Sequence, residues 1–325
     1  MAGTAGSNRA VGKLNIMNVR NNINDDSNAC LQGGTTAVLP TLTILGCGKV
    51  GKTLARLWCG RHTARKHKVK FTAPHQVFQI RDVMNRSHIS AQQACDFIGD
   101  GRAVTTYAEL DSADIYLITV GDDHIAGCCA DLAASGRLTS NNIVFHCSGA
   151  LSSLALIGAI QQGAAVASIH PIRSFANPQQ VVQDFTGTYC GIEGDTAALA
   201  VLAPAFDAIG ARCVVIQRDK KIIYHAAAVF ASNYLVTLIE VARQAYVEAG
   251  LPSNIALQLI APLLSESAEN AFSLGPATAL TGPIARGDMT TVARQYDALQ
   301  QEMPDVAALY RQFEILTLAL AQKKV

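Results

Sequence analysis

From residue 41 onward the chain alternates short apolar runs with stretches of helical period, and after residue 218 the apolar runs stop. Residues 42–45 are apolar apart from Thr43. A glycine cluster follows, then Val50, Leu54, Leu57 and Trp58 recur on one helical face. Residues 76–84 read as a second strand and residues 90–98 as the next helix, with Ser90 as its cap. Residues 115–120, 142–146 and 165–169 are near-continuous apolar runs, as in strands covered on both faces. Residues 189–192 and 213–217 add two shorter strands around a helix that Asp195 is placed to cap. Strands alternating with helices predict an α/β fold with a doubly wound parallel sheet and right-handed crossovers. Past Arg218 the pattern is helical throughout. Residues 224–250 read as one long helix, followed by 254–273, 289–301 and 305–323, with breaks at Gly275-Pro276 and Gly282-Pro283. The chain therefore divides into a polar tail over 1–38, a sheet domain over 39–218 and an all-helical domain over 219–325.

Composition narrows the possible functions. The 325 residues are half hydrophobic, enough for two cored domains, and the net charge of +1 lacks the basic excess of a nucleic-acid binder. The local basic run over 61–70 reads as a solvated helix end and loop. No uninterrupted apolar run approaches the ~18 residues that span a bilayer, so no membrane partner is expected. The tail over 1–38 lacks the apolar core of a secretory signal and reads as disordered. Nine cysteines without CxxC spacing point to a reducing, cytoplasmic setting, and the adjacent Cys128 and Cys129 read as small hydrophobes. Eight histidines show no metal-ligand spacing, and no metal is expected.

The chemistry gathers around Gly46-Cys47-Gly48-Lys49-Val50-Gly51, a G-x-G-x-x-G loop between a strand and a helix. Gly46 permits the tight turn, Gly48 lets backbone approach a pyrophosphate, and Gly51 lets the helix pack on the strand. In such sheets ligands lie beyond the carboxyl ends of the strands. That edge collects Val120, Gly121 and Asp122 after one strand, His146 and Ser148 after another, and His170 after a third. Each also has an ordinary reading as a cap, a turn or a packed loop residue. At the tip of the second strand stand Asn85, Arg86 and Ser87, where a positive fork favours the 2′-phosphate of NADP over NAD. Asp82 is the rival, as an acid for the ribose hydroxyls of NAD. Asn85 lies 34 residues after Gly51, against the usual ~20, an excess attributed to the basic insertion.

In the helical domain, His225 and Ser232 fall nearly on one line of a continuous helix, with Asn233 beside it. A reductase needs a proton for the alkoxide or amine it forms, which His225 is suited to give, while Asn233 would hold the carbonyl or imine. A buried histidine and amide satisfying one another is the competing reading. Residues 281–288 form a turn-rich loop in which Asp288 caps the next helix and Arg286 is either a surface charge or an anion anchor.

These motifs, with His146-Cys147-Ser148-Gly149, His170-Pro171 and Phe175, the run from Tyr224-His225 to Ser232-Asn233, and the run from Leu280 to Asp288, resemble a known family. That family joins an amino-terminal Rossmann-like domain, akin to deazaflavin-dependent NADP reductases, to a carboxy-terminal helical domain of unknown function, and the likeness covers residue 41 to the end. Its broader relatives are pyrroline-carboxylate reductases and β-hydroxyacid dehydrogenases. The resemblance implies a nicotinamide cofactor in a cleft between sheet and helices and a homodimer formed through the helices. It supplies no substrate. The β-hydroxyacid dehydrogenase pattern has a lysine and an asparagine four residues apart on the equivalent helix, whereas His225 and Asn233 are eight apart here. The expectation is an NADP-dependent oxidoreductase acting on a small carbonyl or imine, with Ser148 and His170 at the nicotinamide end. A non-catalytic NADP-binding sensor or assembly protein is the alternative; a methyltransferase fits the helical domain poorly.

Overall fold

The structure, a computed structural model, describes residues 38–60 and 76–323. Apart from Val38, the expected tail lies outside the described residues, as does the basic run over 61–70. The described residues from Leu39 onward belong to one compact unit. Its strands are β1 (Thr41–Leu45), β2 (Gln79–Met84), β3 (Arg102–Val104), β4 (Ile115–Ile118), β5 (Ile143–His146), β6 (Ala165–Pro171), β7 (Tyr189–Gly194) and β8 (Arg212–Val215). Between them run α1 (Lys49–Trp58), α2 (His88–Ile98), α3 (Asp122–Ala134), α4 (Ile157–Gln161), α5 (Pro178–Asp184) and α6 (Thr196–Ala208). After β8 come α7 (Lys221–Ala231), α8 (Asn233–Glu248), α9 (Ser253–Leu274), α10 (Pro276–Ala279), α11 (Met289–Glu302) and α12 (Pro304–Ala321).

The strands form one sheet in the order β3-β2-β1-β4-β5-β6-β7-β8. The order reverses between β1 and β4, which opens a crevice beyond their carboxyl ends, where this fold class binds ligands. Helices cover both faces. One apolar core joins α1, α2, α5 and α6 to the sheet, and a second joins α3 and α4 to the opposite face. Trp58 anchors the first. It is fully buried, meets Phe78 and Phe206 edge-on at 5.3 and 5.1 Å, and its indole N–H donates to the Ala205 carbonyl at 2.9 Å.

The expected parallel sheet needs one correction: β7 runs antiparallel to β6, pairing Ser168 with Glu193 and His170 with Gly191. An antiparallel neighbour starts where its partner ends, so the short connection carrying α5 suffices, whereas a parallel one must travel back along the whole strand. Strand β3 was not anticipated from its three residues; buried Asp82 anchors it through an ion pair with Arg102 at 2.8 Å. The N-cap of α2 is Ser87, whose hydroxyl accepts from the Ser90 amide, rather than Ser90 itself. The expected single helix over 224–250 also divides. At Ser232 the backbone leaves helical geometry (φ −128°, ψ −74°), ending α7 and starting α8. By length and composition Arg218–Glu248 is apolar enough to cross a membrane, its most apolar 18-residue window having a mean hydropathy of 1.6, although it contains no uninterrupted apolar run of that length. No part of its most apolar window is buried.

Candidate active site

The glycine loop lies at the β1–β4 switch. Gly46 has φ +71°, the left-handed conformation that a tight turn requires and that side-chain-bearing residues resist. A methyl group on Gly51 would overlap the Thr119 hydroxyl and press on Ile44, so only glycine allows α1 this close to the sheet. The start of α1 is bare. Gly48 occupies the N-cap with no side chain to offer, and the first turn carries no acid. Uncapped amides at a helix N-terminus attract an anion, so these residues fit a dinucleotide's pyrophosphate.

A cavity of about 930 Å³ opens beside this turn. Of the sequence candidates, Gly46, Cys47, Gly48, Asn85, Arg86, Ser87, Val120 and Gly121 line it. Lys49, Val50 and Gly51 lie behind, within α1. Asn85 reaches back to the Cys47 carbonyl at 3.4 Å, bracing the loop. Arg86 is exposed and makes no hydrogen bond or ion pair among the described residues. Asp82, the rival acid, is fully buried; its carboxylate accepts from Arg102 and from the Asp111 amide at 2.7 Å, so it faces away from any ribose. Burial pushes the Cys47 thiol far above its ordinary range, leaving it a packing residue.

A second cluster sits beyond β5 and β6. Asp122, at the start of α3, accepts the Ser148 hydroxyl at 2.7 Å, and that oxygen accepts in turn from the Ala150 and Leu151 amides. Asp122 itself does not line the cavity, but its neighbours Gly121 and Asp123 do, so Ser148 ties the start of α3 to the loop after β5. The next residue, Gly149, lies under two imidazoles: a methyl group there would overlap His225 and come within 2.9 Å of His170. His170 and His225 meet edge-on with ring centres 5.8 Å apart, and the Tyr224 oxygen lies 3.1 Å from His170 Nδ1. Burial, then the neighbouring His225, lower the His170 pKa to about 4, and burial raises the Tyr224 phenol to about 12. Near neutrality both are uncharged.

Behind the cluster, His146 is buried. Its Nδ1 accepts from the Ser148 amide at 3.1 Å, and its Nε2 lies 3.1 Å from the Ser152 carbonyl, so these partners assign the proton to Nε2. Burial holds its pKa at about 4.

The structure therefore brings Ser148, His170 and His225 together. Asn233 stands apart: beyond the break at Ser232 it is exposed, and its side chain makes no hydrogen bond among the described residues. The cavity also ends short of His170, His225 and Asn233. Sequence reasoning gave no role to Tyr224, Lys221, Ser168 or Glu193, which complete the surroundings of the histidines. The available signal was spacing: Lys221, Tyr224 and His225 share one helical face, and Ser168 and His170 share one strand face.

A search of curated proteins finds no match. Among solved structures, a Thermotoga maritima protein is 25% identical with a TM-score of 0.67, over 87% of this chain and 99% of that one. An imine reductase of Myxococcus stipitatus in complex with NADP+ shares the fold at 12% identity and a TM-score of 0.56, covering 87% and 93%. So does a Plasmodium falciparum pyrroline carboxylate reductase with NADP bound, at 13% identity and a TM-score of 0.52, covering 87% and 98%. Residues 32–171 match the Rossmann-like domain family, and residues 188–315 match the domain of unknown function DUF2520. The chain thus carries a Rossmann-like domain followed by a DUF2520 domain, the order found in the family that its motifs resemble.

Proposed function

We propose that this chain is an NADP-dependent oxidoreductase that transfers a hydride to or from a small carbonyl or imine substrate in the cleft between the sheet and α7. The observation that carries this reading is the continuity of two sites. The bare helix start and its cavity suit a dinucleotide, and the hydrogen bond from Ser148 to Asp122 at the start of α3 joins that cavity's wall helix to the loop under the two neighbouring histidines. Gly46, Gly48 and the start of α1, with Arg86, would hold the nicotinamide cofactor, which would supply or take up the hydride. His225 delivers or accepts the proton at the substrate's oxygen or nitrogen, and neutral His170 offers a ring nitrogen to the same polar atom. Ser148 holds the loop between them, and Asn233 is given no part in the cluster. Unpaired Arg86, with Asp82 turned inward, favours NADP over NAD.

The partner proposed is a second copy of the chain, seated on the exposed apolar faces of α7 and α8. Ile223 and Phe230 are there 65% and 67% exposed.

Calorimetric titration with NADPH and with NADH tests the cofactor, and a panel of small cyclic imines and ketones, followed by nicotinamide absorbance, tests the reaction. Replacing His225 with Gln should lower turnover while sparing NADPH binding; unchanged turnover would remove its role. One observation favours a second reading, a non-catalytic NADP-binding sensor: the cavity stops before the histidines. That reading expects NADPH to bind and shift the association of chains, with no substrate in the panel turned over.

A further inference from the structure

Lys221 is the buried lysine of the described residues, 1% exposed at the first position of α7. Its ammonium rests on the Ser168 hydroxyl of β6 and lies 3.5 Å from the Glu193 carboxylate of β7. Glu193 is itself fully engaged. It accepts from the Ser153 amide and hydroxyl at 2.7 and 2.8 Å and from Arg218 Nε at 3.0 Å. One buried carboxylate therefore gathers the loop after β5, the residues before α7 and α7 itself.

The histidine cluster repeats this layer one step along. Ser168 and His170 are two apart on one face of β6, and their cross-strand partners Glu193 and Gly191 are two apart on β7. Lys221 has Tyr224 and His225 three and four positions later, one turn along the same face of α7. Lys221 sits over Ser168 and Glu193, while Tyr224 and His225 sit over Gly191 and His170. Gly191 leaves the space: a methyl group there would overlap the Tyr224 ring.

We propose that Lys221 is a positioning residue, a buried peg that sets the rotation and height of α7 so that Tyr224 and His225 meet His170. Breaking a buried ion pair strands a charge, so the peg holds one seating against small slips of the helix. The proposal rests on the reductase reading only in giving His170 and His225 contact with substrate; the seating itself is a property of the folded chain.

The test uses the full chain carrying isotope-labelled histidine, with the His170 ring-nitrogen resonances assigned by their loss in His170→Gln. In the wild type, Tyr224 at Nδ1 should fix one tautomer and hold the two nitrogen shifts well apart. In Lys221→Met they should converge, and Tyr224→Phe should give the same convergence with no additional change in the double variant. Ser168→Ala, which removes the hydroxyl beneath the ammonium without stranding a charge, should converge them in part and decides the matter if Lys221→Met does not fold. A folded variant with the wild-type His170 signature overturns the proposal, whatever its thermal midpoint, because a merely structural lysine would move the midpoint alone. With a substrate from the imine panel, Lys221→Met should lower kcat by about 10²-fold, the effect of an ångström-scale misplacement. Loss of turnover with an unchanged His170 signature overturns the proposal as well, by assigning the ammonium a direct role. The tautomer readout requires no turnover, so it tests the seating of α7 even if the chain is no reductase.

Discussion

The sheet and the helices after it bury their residues in opposite ways. The sheet and its six helices close two continuous apolar cores, and its buried carboxylates are paired: Asp82 with Arg102, Glu193 with Arg218 and Lys221. Among the described residues after Val215, only Lys221, Ala256, Ile260, Val292, Ala307 and Glu314 are buried. Meanwhile Phe272 is 90% and Leu316 64% exposed. A surface this apolar suits the second copy proposed above. The sheet half closes its cores with its own residues, the helical half leaves its apolar faces exposed, and the candidate site lies on the seam between them.

The largest expected effect tests that contrast directly. Replacing Ile223 and Phe230 together with Glu places charges on the apolar face of α7. Each large side chain kept in water forgoes about 1.5–3 kcal/mol of burial. Sedimentation equilibrium should show a dimer whose dissociation constant rises roughly a thousandfold in the double variant. A wild-type chain that sediments as a monomer at micromolar concentration would break the contrast, because the helical half would then be stable with its apolar face in water.

Acid should loosen the sheet half first. An unfolded histidine takes its proton near 6.5, whereas burial holds off that proton in folded His146 until about 4. Between those values the unfolded chain binds the extra proton, so stability is level above the window and falls as pH drops through it. The loss for His146 is on the order of 3 kcal/mol, and His170 adds to it in the same sense. Denaturant midpoints measured across the window should show this decline. His146→Gln, which keeps a donor toward the Ser152 carbonyl, should flatten it; an unchanged slope would place the sensitive group elsewhere.

What the sequence disclosed divides along similar lines. The glycine loop was readable because strand, turn and helix are all local, and each glycine has a local reason: a positive φ at Gly46, a close approach at Gly51. The collection of Ser148 and His170 at one sheet edge followed from alternation alone. The direction of β7 did not, since its residues alternate alike whichever way the strand runs. Nor did the break at Ser232, where apolar periodicity continues through a change of backbone direction, so that Asn233 left the line of His225. The Lys221–Ser168–Glu193 layer requires the antiparallel register of β6 and β7 before its three members become neighbours. The strand tip already separated Arg86 from Asp82 in the sequence, and the pairing of Asp82 with Arg102 supplies the physical reason for that separation.

That separation sets the third effect. Arg86→Ala should weaken NADPH binding by roughly 10- to 100-fold, the range for charged hydrogen bonds to a phosphate, and leave NADH binding nearly unchanged. Calorimetry with both nucleotides measures the difference. Equal losses would mean that Arg86 meets a group common to both, such as the pyrophosphate or the adenine.

The smallest effect asks how far the helical half depends on its own local devices. Asp288 caps α11: its carboxylate accepts from the Thr291 amide at 3.1 Å and the Thr291 hydroxyl at 2.7 Å. These bonds hold its carboxyl below the usual range, so the cap weakens as pH falls into that range. Asp288→Ala leaves a helix-start amide to water and should lower the thermal midpoint by about 2 °C, while Asp288→Asn, a comparable cap, should hold it. If the helical half is sealed by a second copy, the loss should be the same at low and high protein concentration, because α11 folds before it is covered. A midpoint loss that disappears on concentrating the chain would instead show that association itself orders α11, and the division between a self-sufficient half and a dependent one would then extend to the helices themselves.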